Sequence, residues 1–300
     1  MTTTIAFLGL GAIGTPMARH LAIPDFSLAV WNRTEAKTTA FVAAHATKAV
    51  RAASTPADAA RGAAIVITCL PTSREVEALL DGPDGLLAGL ARGTLFIDCT
   101  SGDPATSQRI AARLAEVGVG FIDAPVSGGV VGAEKGALTI MVGGDAALLE
   151  RAMPVLRAMG EKIVHCGAVG AGDALKAVNN ALLAVHIWSA AEGLLALSRA
   201  GVKPAVALDV INASSGRSNS SMNLFPERVL TRAFPRTFRL ALLDKDVGIA
   251  AQVARDQKVP SPLIQLTAEL FRAAHTALGD EADHVEAVKY LEQMTGDEIQ

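Results

Sequence analysis

Three hundred residues, 50% of them hydrophobic and 19% charged, suffice for one large domain or two ordinary ones with sizeable cores. A formal net charge of −3 provides no electrostatic footprint for nucleic acid or an anionic membrane surface, so neither is expected as a partner. Cys69, Cys99 and Cys166 are odd in number and far apart, which excludes a disulfide framework and a zinc-ligand pattern and fits a reducing compartment.

Residues 4–9, "TIAFLG", form a short apolar run before a glycine turn, and "TPMARHL" follows with helical spacing. The uncharged start has no basic residues of a signal peptide, and its glycines and proline interrupt the apolar run. "SLAVW" (27–31) predicts a second strand and "EAKTTAFVAAH" a helix. "AAIVITCL" (63–70) and "GTLFIDCT" (93–100) predict buried strands ending in polar residues. "VGFIDAPV" (119–126), "ALTIMVGG" (137–144), a helix from about Ala146 and "EKIVHCG" (161–167) complete this half. Strands alternating with helices predict an α/β domain with a mostly parallel, doubly wound sheet over residues 1–165. Beyond it, "DALKAVNNALLAVHIWSAAEGLLALSRAG" reads as one long apolar helix stopped by Gly201, and the remainder as helices and loops. Residues 166–300 are therefore expected to be all-helical, including this long helix. Its uncharged stretch, 177–191, contains two asparagines and a histidine and falls short of the ~20 residues a bilayer requires. A soluble, cytoplasmic protein is expected.

"GLGAIG" places Gly9, Gly11 and Gly14 in G-x-G-x-x-G spacing, after a strand and opening a helix. In that context Gly9 permits the tight turn, Gly11 lets backbone approach a pyrophosphate, and Gly14 lets helix and strand pack closely. Leu10, Ala12 and Ile13 complete the turn, and the helix N-terminus attracts phosphate. The second strand ends at Trp31, so Asn32, Arg33 and Thr34 occupy the ribose-recognition position. An acid there would bind both ribose hydroxyls and repel a 2′-phosphate. Arg33 instead offers a forked phosphate donor, with Asn32 and Thr34 as neutral donors or acceptors. This favours NADP(H), and leaves NAD(H) open because an arginine does not require the phosphate.

"FLGLGAIGTPMARHL", "DAPVSGGVVGAEKGALTIMVGG", "GAGDALKAVNN" and "LDKDVGIA", in this order, resemble the four signature regions of the β-hydroxyacid dehydrogenases. That family includes 3-hydroxyisobutyrate dehydrogenase, tartronate semialdehyde reductase and the glyoxylate/succinic semialdehyde reductases. The resemblance implies a Rossmann-like domain, a long connecting helix, an all-helical C-terminal domain and association into a homodimer or homotetramer. It implies a small hydroxy acid or aldehyde acid as substrate. It matches the catalytic lysine to Lys176 and the asparagine after it to Asn180. The substrate-carboxylate loop falls on Ser127, Gly128 and Gly129, and a second cofactor lysine on Lys245. Thr100 and Ser101 fall beside the nicotinamide, and Leu70 and Pro71 are further candidate cofactor contacts. Many members read closer to "STI" followed by Asp-Pro where this chain has "TSGDP", so Gly102 replaces the usual isoleucine.

The chemistry is sensible for these residue types. Oxidising an alcohol requires a base for the hydroxyl proton while hydride leaves for the nicotinamide. Lys176 can be that base if burial and nearby positive charge lower its pKa toward neutrality. Asn180, at i+4, shares its helix face. Gly170 and Gly172 are expected to leave room for a ligand near the helix start. "SSGRSNSSMNLFP" (214–226) is a candidate substrate-facing loop, with Arg217, Ser218 and Asn219 suited to a polar substrate end. Short-chain dehydrogenases need Tyr-x-x-x-Lys, which Tyr290 does not supply, and no histidine pair has metal spacing. An imine reductase of the same fold commonly lacks the lysine. A non-catalytic cofactor-binding protein is the remaining alternative.

Overall fold

The computed structural model describes residues 2–46 and 48–300. The chain divides into two compact units, 1–176 and 177–300.

The N-terminal unit begins with β1 (Thr3–Leu8), α1 (Gly14–Leu21), β2 (Phe26–Trp31), α2 (Glu35–Ala44) and β3 (Val50–Ala52). It continues through α3 (Pro56–Ala60), β4 (Ile65–Thr68), α4 (Ser73–Ala78), β5 (Leu95–Asp98), α5 (Pro104–Glu116) and β6 (Gly120–Asp123). It ends with β7 (Val126–Ser127), α6 (Gly129–Lys135), β8 (Leu138–Gly143), α7 (Ala146–Met159), β9 (Gly160–Gly167) and the start of α8 (Ala171–Arg199). The sheet order is β3-β2-β1-β4-β5-β6-β8-β7, with β9 beside β8. Strands β1 to β6 are mutually parallel, and β8 runs antiparallel to β6 and β7. Ile5, Ala6, Phe7 and Leu8 of β1 are all buried, as a parallel strand covered on both faces requires. One cover is built around Phe7, Met17, Leu21, Ile67 and Ile97, the other around Leu8, Val66, Leu80, Phe96 and Ile110.

The sheet's strand order reverses between β1 and β4. In open α/β sheets the crevice at that reversal, outside the carboxyl ends of the strands, is where ligands bind. The glycine turn follows β1 there, and Leu70 and Pro71 follow β4. Helix α5 beyond β5 starts sharply: Asp103 accepts from Thr106 N, and Pro104 occupies the first helical position.

The C-terminal unit takes the rest of α8, then α9 (Pro204–Asn212), α10 (Leu240–Asp256), α11 (Pro262–Leu278) and α12 (Ala287–Thr295). Ala181, Ala184, Ile187, Trp188 and Leu195 of α8 pack with Phe225, Leu243, Val247 and Phe271 in its core. By length and composition alone, α8 is long and apolar enough to cross a membrane. At 29 residues it extends past the uncharged stretch at both ends.

The 214–226 segment departs from the expected loop. From Ser220 to Val229 the chain forms a π-helix with Pro226 inside it. A proline has no N–H to donate, and the carbonyl five residues before it, Ser221 O, accepts from Asn212 Nδ2 at 2.9 Å instead. The short stretch before it is braced by serines: Ser218 N donates to Ser221 Oγ (2.8 Å) and Ser221 N to Ser218 Oγ (3.1 Å).

Candidate functional site

The three glycines of the first turn do different things. Gly9 has φ +109°, and a Cβ on it would lie 2.2 Å from the Cys69 carbonyl oxygen. A Cβ on Gly14 would lie 1.9 Å from Gly9 O. Both positions are filled by the protein's own backbone. A Cβ on Gly11 would meet nothing within 4 Å, so this glycine borders open space at the start of α1. A turn closed by Gly9 and Gly14 and open at Gly11 fits a dinucleotide's phosphates. Asn32 braces it: Leu10 N donates to Asn32 Oδ1 (2.9 Å), and Asn32 Nδ2 donates to Thr34 O (3.1 Å). Its carboxamide oxygen therefore serves the turn, which leaves exposed Arg33 and Thr34 as the side chains available at this edge.

Beyond β4 and β5 a buried hydrogen-bond chain joins the two strand ends. Thr68 Oγ1 (2.8 Å) and Thr100 N (3.0 Å) donate to Asp98 Oδ1, and Leu70 N donates to Thr100 Oγ1 (3.1 Å). Burial pushes the Asp98 carboxyl up to about 6, against the opposing pull of these hydrogen bonds. One strand further, Asp123 accepts from Gly170 N (2.7 Å) and Asp173 N (3.0 Å), which fixes the start of α8 to the end of β6.

Gly170 and Gly172 do not leave room for a ligand. A Cβ on Gly172 would lie 2.3 Å from Met141 O and 2.8 Å from Asp123 Oδ2, and Gly170 has φ +93° with Pro104 against it. They make room for the sheet domain's own backbone. The helix that starts on them carries Lys176 buried, 9% exposed, while its neighbour Leu175 is 45% exposed.

Ser127 ends β7, and Gly128 (φ +133°) and Gly129 (φ +62°) turn the chain into α6. A Cβ on Gly129 would meet nothing within 4 Å, so the turn is open on that side. In the C-terminal unit, Asn180 Nδ2 donates to Asp246 Oδ2 (2.6 Å), and Lys245 Nζ lies 3.0 Å from Asp246 Oδ1. Asp246 is itself buried and thus couples two of the expected site residues. Arg217 and Ser218 line a recess of ≈ 380 Å³ with His186, Ser189 and Ile211. Ser218 is occupied in bracing the turn, whereas Arg217 and Asn219 are exposed. Among the described residues, no three or more His, Cys, Asp or Glu side chains are grouped to hold a metal.

Residues 4–167 match the NAD binding domain of 6-phosphogluconate dehydrogenase, and residues 170–291 match the NAD-binding domain of NADP-dependent 3-hydroxyisobutyrate dehydrogenase. The chain belongs to the β-hydroxyacid dehydrogenase family. It is 37% identical to 2-(hydroxymethyl)glutarate dehydrogenase of Eubacterium barkeri, over 97% of this chain and 96% of that one. It is 38% identical to the NAD-dependent L-serine dehydrogenase of Pseudomonas aeruginosa, over 89% and 91%. The structure of Mycobacterium tuberculosis 3-hydroxyisobutyrate dehydrogenase with L-serine superposes with a TM-score of 0.87 at 32% identity, covering 97% of this chain and 99% of that one. The protein is a hydroxyacid dehydrogenase acting on CH–OH donors with a nicotinamide cofactor.

Sequence reasoning missed four buried acids: Asp98, Asp123 and Asp173 as anchors, and Asp246 as more than a flanking charge. Asp98 and Asp123 each end a largely buried apolar strand, a position where a carboxylate needs a reason. Asp246 falls in the buried stripe Leu243, Val247, Ala250 of α10, a helical periodicity visible in the sequence.

Proposed function

We propose that this dehydrogenase interconverts a small 3-hydroxy acid and the corresponding aldehyde acid, with Lys176 as general acid/base and NADP(H) as the favoured cofactor. The observation that carries the reading is the burial of Lys176 beside an exposed leucine. A lysine buried where leucine is left in solvent is costly as a structural choice and useful as a proton carrier. When bound, the nicotinamide cofactor supplies or accepts the hydride. Gly9, Leu10, Gly11, Ala12, Ile13 and Gly14 would hold its phosphates, with Leu70, Pro71, Thr100, Ser101 and Lys245 as further contacts. Arg33 and Thr34 would meet the ribose edge, and Arg33 would pair with a 2′-phosphate. Ser127, Gly128 and Gly129 would orient the substrate carboxylate, and Asn180 the reacting oxygen. In the oxidative direction Lys176 Nζ takes the hydroxyl proton; in the reductive direction its ammonium returns a proton to the forming alkoxide.

2-(Hydroxymethyl)glutarate, L-serine and 3-hydroxyisobutyrate, the compounds in the relatives' names, share a hydroxymethyl group on the carbon that bears the carboxylate. This supports a primary alcohol of that type as substrate here. The presence of Lys176 argues against imine reduction and against a purely binding role. The location is read as cytoplasmic.

The test is turnover of small aldehyde acids with NADPH and NADH, in wild type and Lys176→Ala. We expect a higher kcat/KM with NADPH, and a fall in kcat of roughly 10²-fold or more in the mutant with NADPH binding nearly intact. Normal turnover at saturation with weakened NADPH binding would assign Lys176 to binding. The chain is also expected to form a homodimer or homotetramer, and a clean monomer in sedimentation at micromolar concentration that still turns over would contradict it.

A further inference from the structure

The loop after β5 and the first turn of α8 are about seventy residues apart in sequence and are tied together by one side chain. Gly102 N donates to Asp173 Oδ1 (3.0 Å), and Ser107 Oγ donates to Asp173 Oδ2 (2.6 Å). Through its own N–H, Asp173 is also held by Asp123 at the end of β6. The same loop is gripped from its other side, where Asp103 N donates to Ser73 Oγ at 2.8 Å. Gly102 is the residue that allows this. A Cβ on it would lie 2.6 Å from Ser73 Oγ and 3.0 and 3.1 Å from the Asp173 carboxylate oxygens. Any side chain at position 102 would push the clamp apart.

Lys176 lies one helical turn after Asp173. We infer that Asp173 is a positioning residue for Lys176, fixing the lysine's helix against the Thr100–Ser101 loop, and that Gly102 serves to admit its carboxyl group. The inference rests on the proposed role of Lys176. It explains why a carboxyl group only 1% exposed is kept at a helix start whose hydrogen-bond partners here are neutral. Burial, and then the neighbouring Asp123 and Asp98 carboxylates, push Asp173 well above the ordinary carboxyl range. Its neutral form is the one an asparagine copies, with Oδ1 accepting from Gly102 N and the amide donating to a rotated Ser107 hydroxyl.

The test compares Asp173→Ala, Asp173→Asn and Gly102→Ala with Lys176→Ala in the same turnover assay. Asp173→Ala should lower kcat by roughly 10- to 100-fold while KM and NADPH affinity change less than about threefold, because misplacing a reacting group by an ångström costs about that much. Asp173→Asn should recover kcat to within about threefold of wild type. Gly102→Ala should lower kcat in the wild-type background, and by less in the Asp173→Ala background, since part of its clash is with the missing carboxyl group. Unchanged kcat in Asp173→Ala, or an asparagine variant as slow as the alanine one, overturns the inference. If Asp173→Ala does not fold, the asparagine and Gly102→Ala variants decide: full turnover in Gly102→Ala is the contrary result. Loss of turnover in Lys176→Ala with none in the other variants would sink this inference alone, whereas normal turnover in Lys176→Ala would sink the proposed function itself.

Discussion

In the N-terminal unit Asp98, Asp123 and Asp173 are buried against hydroxyls and backbone N–H groups, whereas in the C-terminal unit Asp283 and Glu292 are buried against cations or a histidine. Asp283 accepts from Thr237 N, Phe238 N and Val285 N, and has Arg228 and His284 beside it. Burial alone would raise its carboxyl, yet the His284 hydrogen bond and charge, with the backbone donors, hold it well below the ordinary range. Asp98 is held by neutral donors and moves the other way. The same residue type thus locks one unit and strains the other. The strained acids sit where the ends of β5 and β6 meet the helix start that carries Lys176.

The largest effect should come from removing the lock. Asp283→Ala takes the carboxylate away from Arg228 and His284, which keep only the neutral acceptors Thr237 Oγ1 and Phe238 O, and leaves the Thr237, Phe238 and Val285 N–H groups without a partner; it should cost about 3 to 5 kcal/mol in urea unfolding. Because the folded carboxyl lies below its unfolded value, its contribution is complete above the ordinary carboxyl range and fades as pH falls below it. The difference between wild type and mutant should therefore shrink in acid. A difference that does not change between pH 7 and pH 3 would mean that charge is not what Asp283 contributes.

Asp98→Asn should have the opposite sign. A carboxyl held at about 6 instead of 3.8 is favourable to the fold below pH 3.8, and that advantage is lost as pH rises through 6. At about 1.4 kcal/mol per pH unit, the wild type gives up about 3 kcal/mol by neutral pH. Asparagine keeps an oxygen for Thr68 Oγ1 and Thr100 N and carries no charge. The mutant should match wild type near pH 4 and exceed it by up to about 3 kcal/mol at pH 7.5. A mutant that is less stable at both would erase the contrast between the two units.

Much of this was legible in the sequence. The glycine turn, its strand and its helix are where "TIAFLGLGAIGTP" puts them, because period and turn chemistry agree over that stretch. The long helix from 171 and the helical remainder also follow the pattern of apolar residues. The π-helix did not, since serines and asparagines beside a proline read as a loop, and it is Asn212, from another helix, that satisfies the carbonyl Pro226 leaves free. Asn32, expected at the ribose edge, was not legible as a brace for Leu10, which depends on a contact across 22 positions. Gly170 and Gly172 read as space for a ligand because sequence does not reveal that Met141, Asp123 and Pro104 fill it.

The smallest effect tests whether the C-terminal unit needs cation geometry or only positive charge. Arg232 meets Glu292 with two parallel bonds, Nη1 to Oε1 at 2.6 Å and Nη2 to Oε2 at 2.9 Å, and its guanidinium lies 5.0 Å from the Phe234 ring centre. Glu292 is buried and also accepts from Ile299 N, so it ties the chain's end to the unit. Arg232→Lys keeps the charge and faces the same left-handed backbone, φ +56°, at no added cost. It loses one of the two bonds and the flat stacking surface. One charge-assisted bond at a partly exposed position is worth about 1 kcal/mol. Urea unfolding of Arg232→Lys should therefore show a loss near that size, well below that of Asp283→Ala. A lysine variant as stable as wild type would show that the unit's buried acids need only a nearby charge, and a loss as large as that of Asp283→Ala would show that the paired geometry itself is the lock.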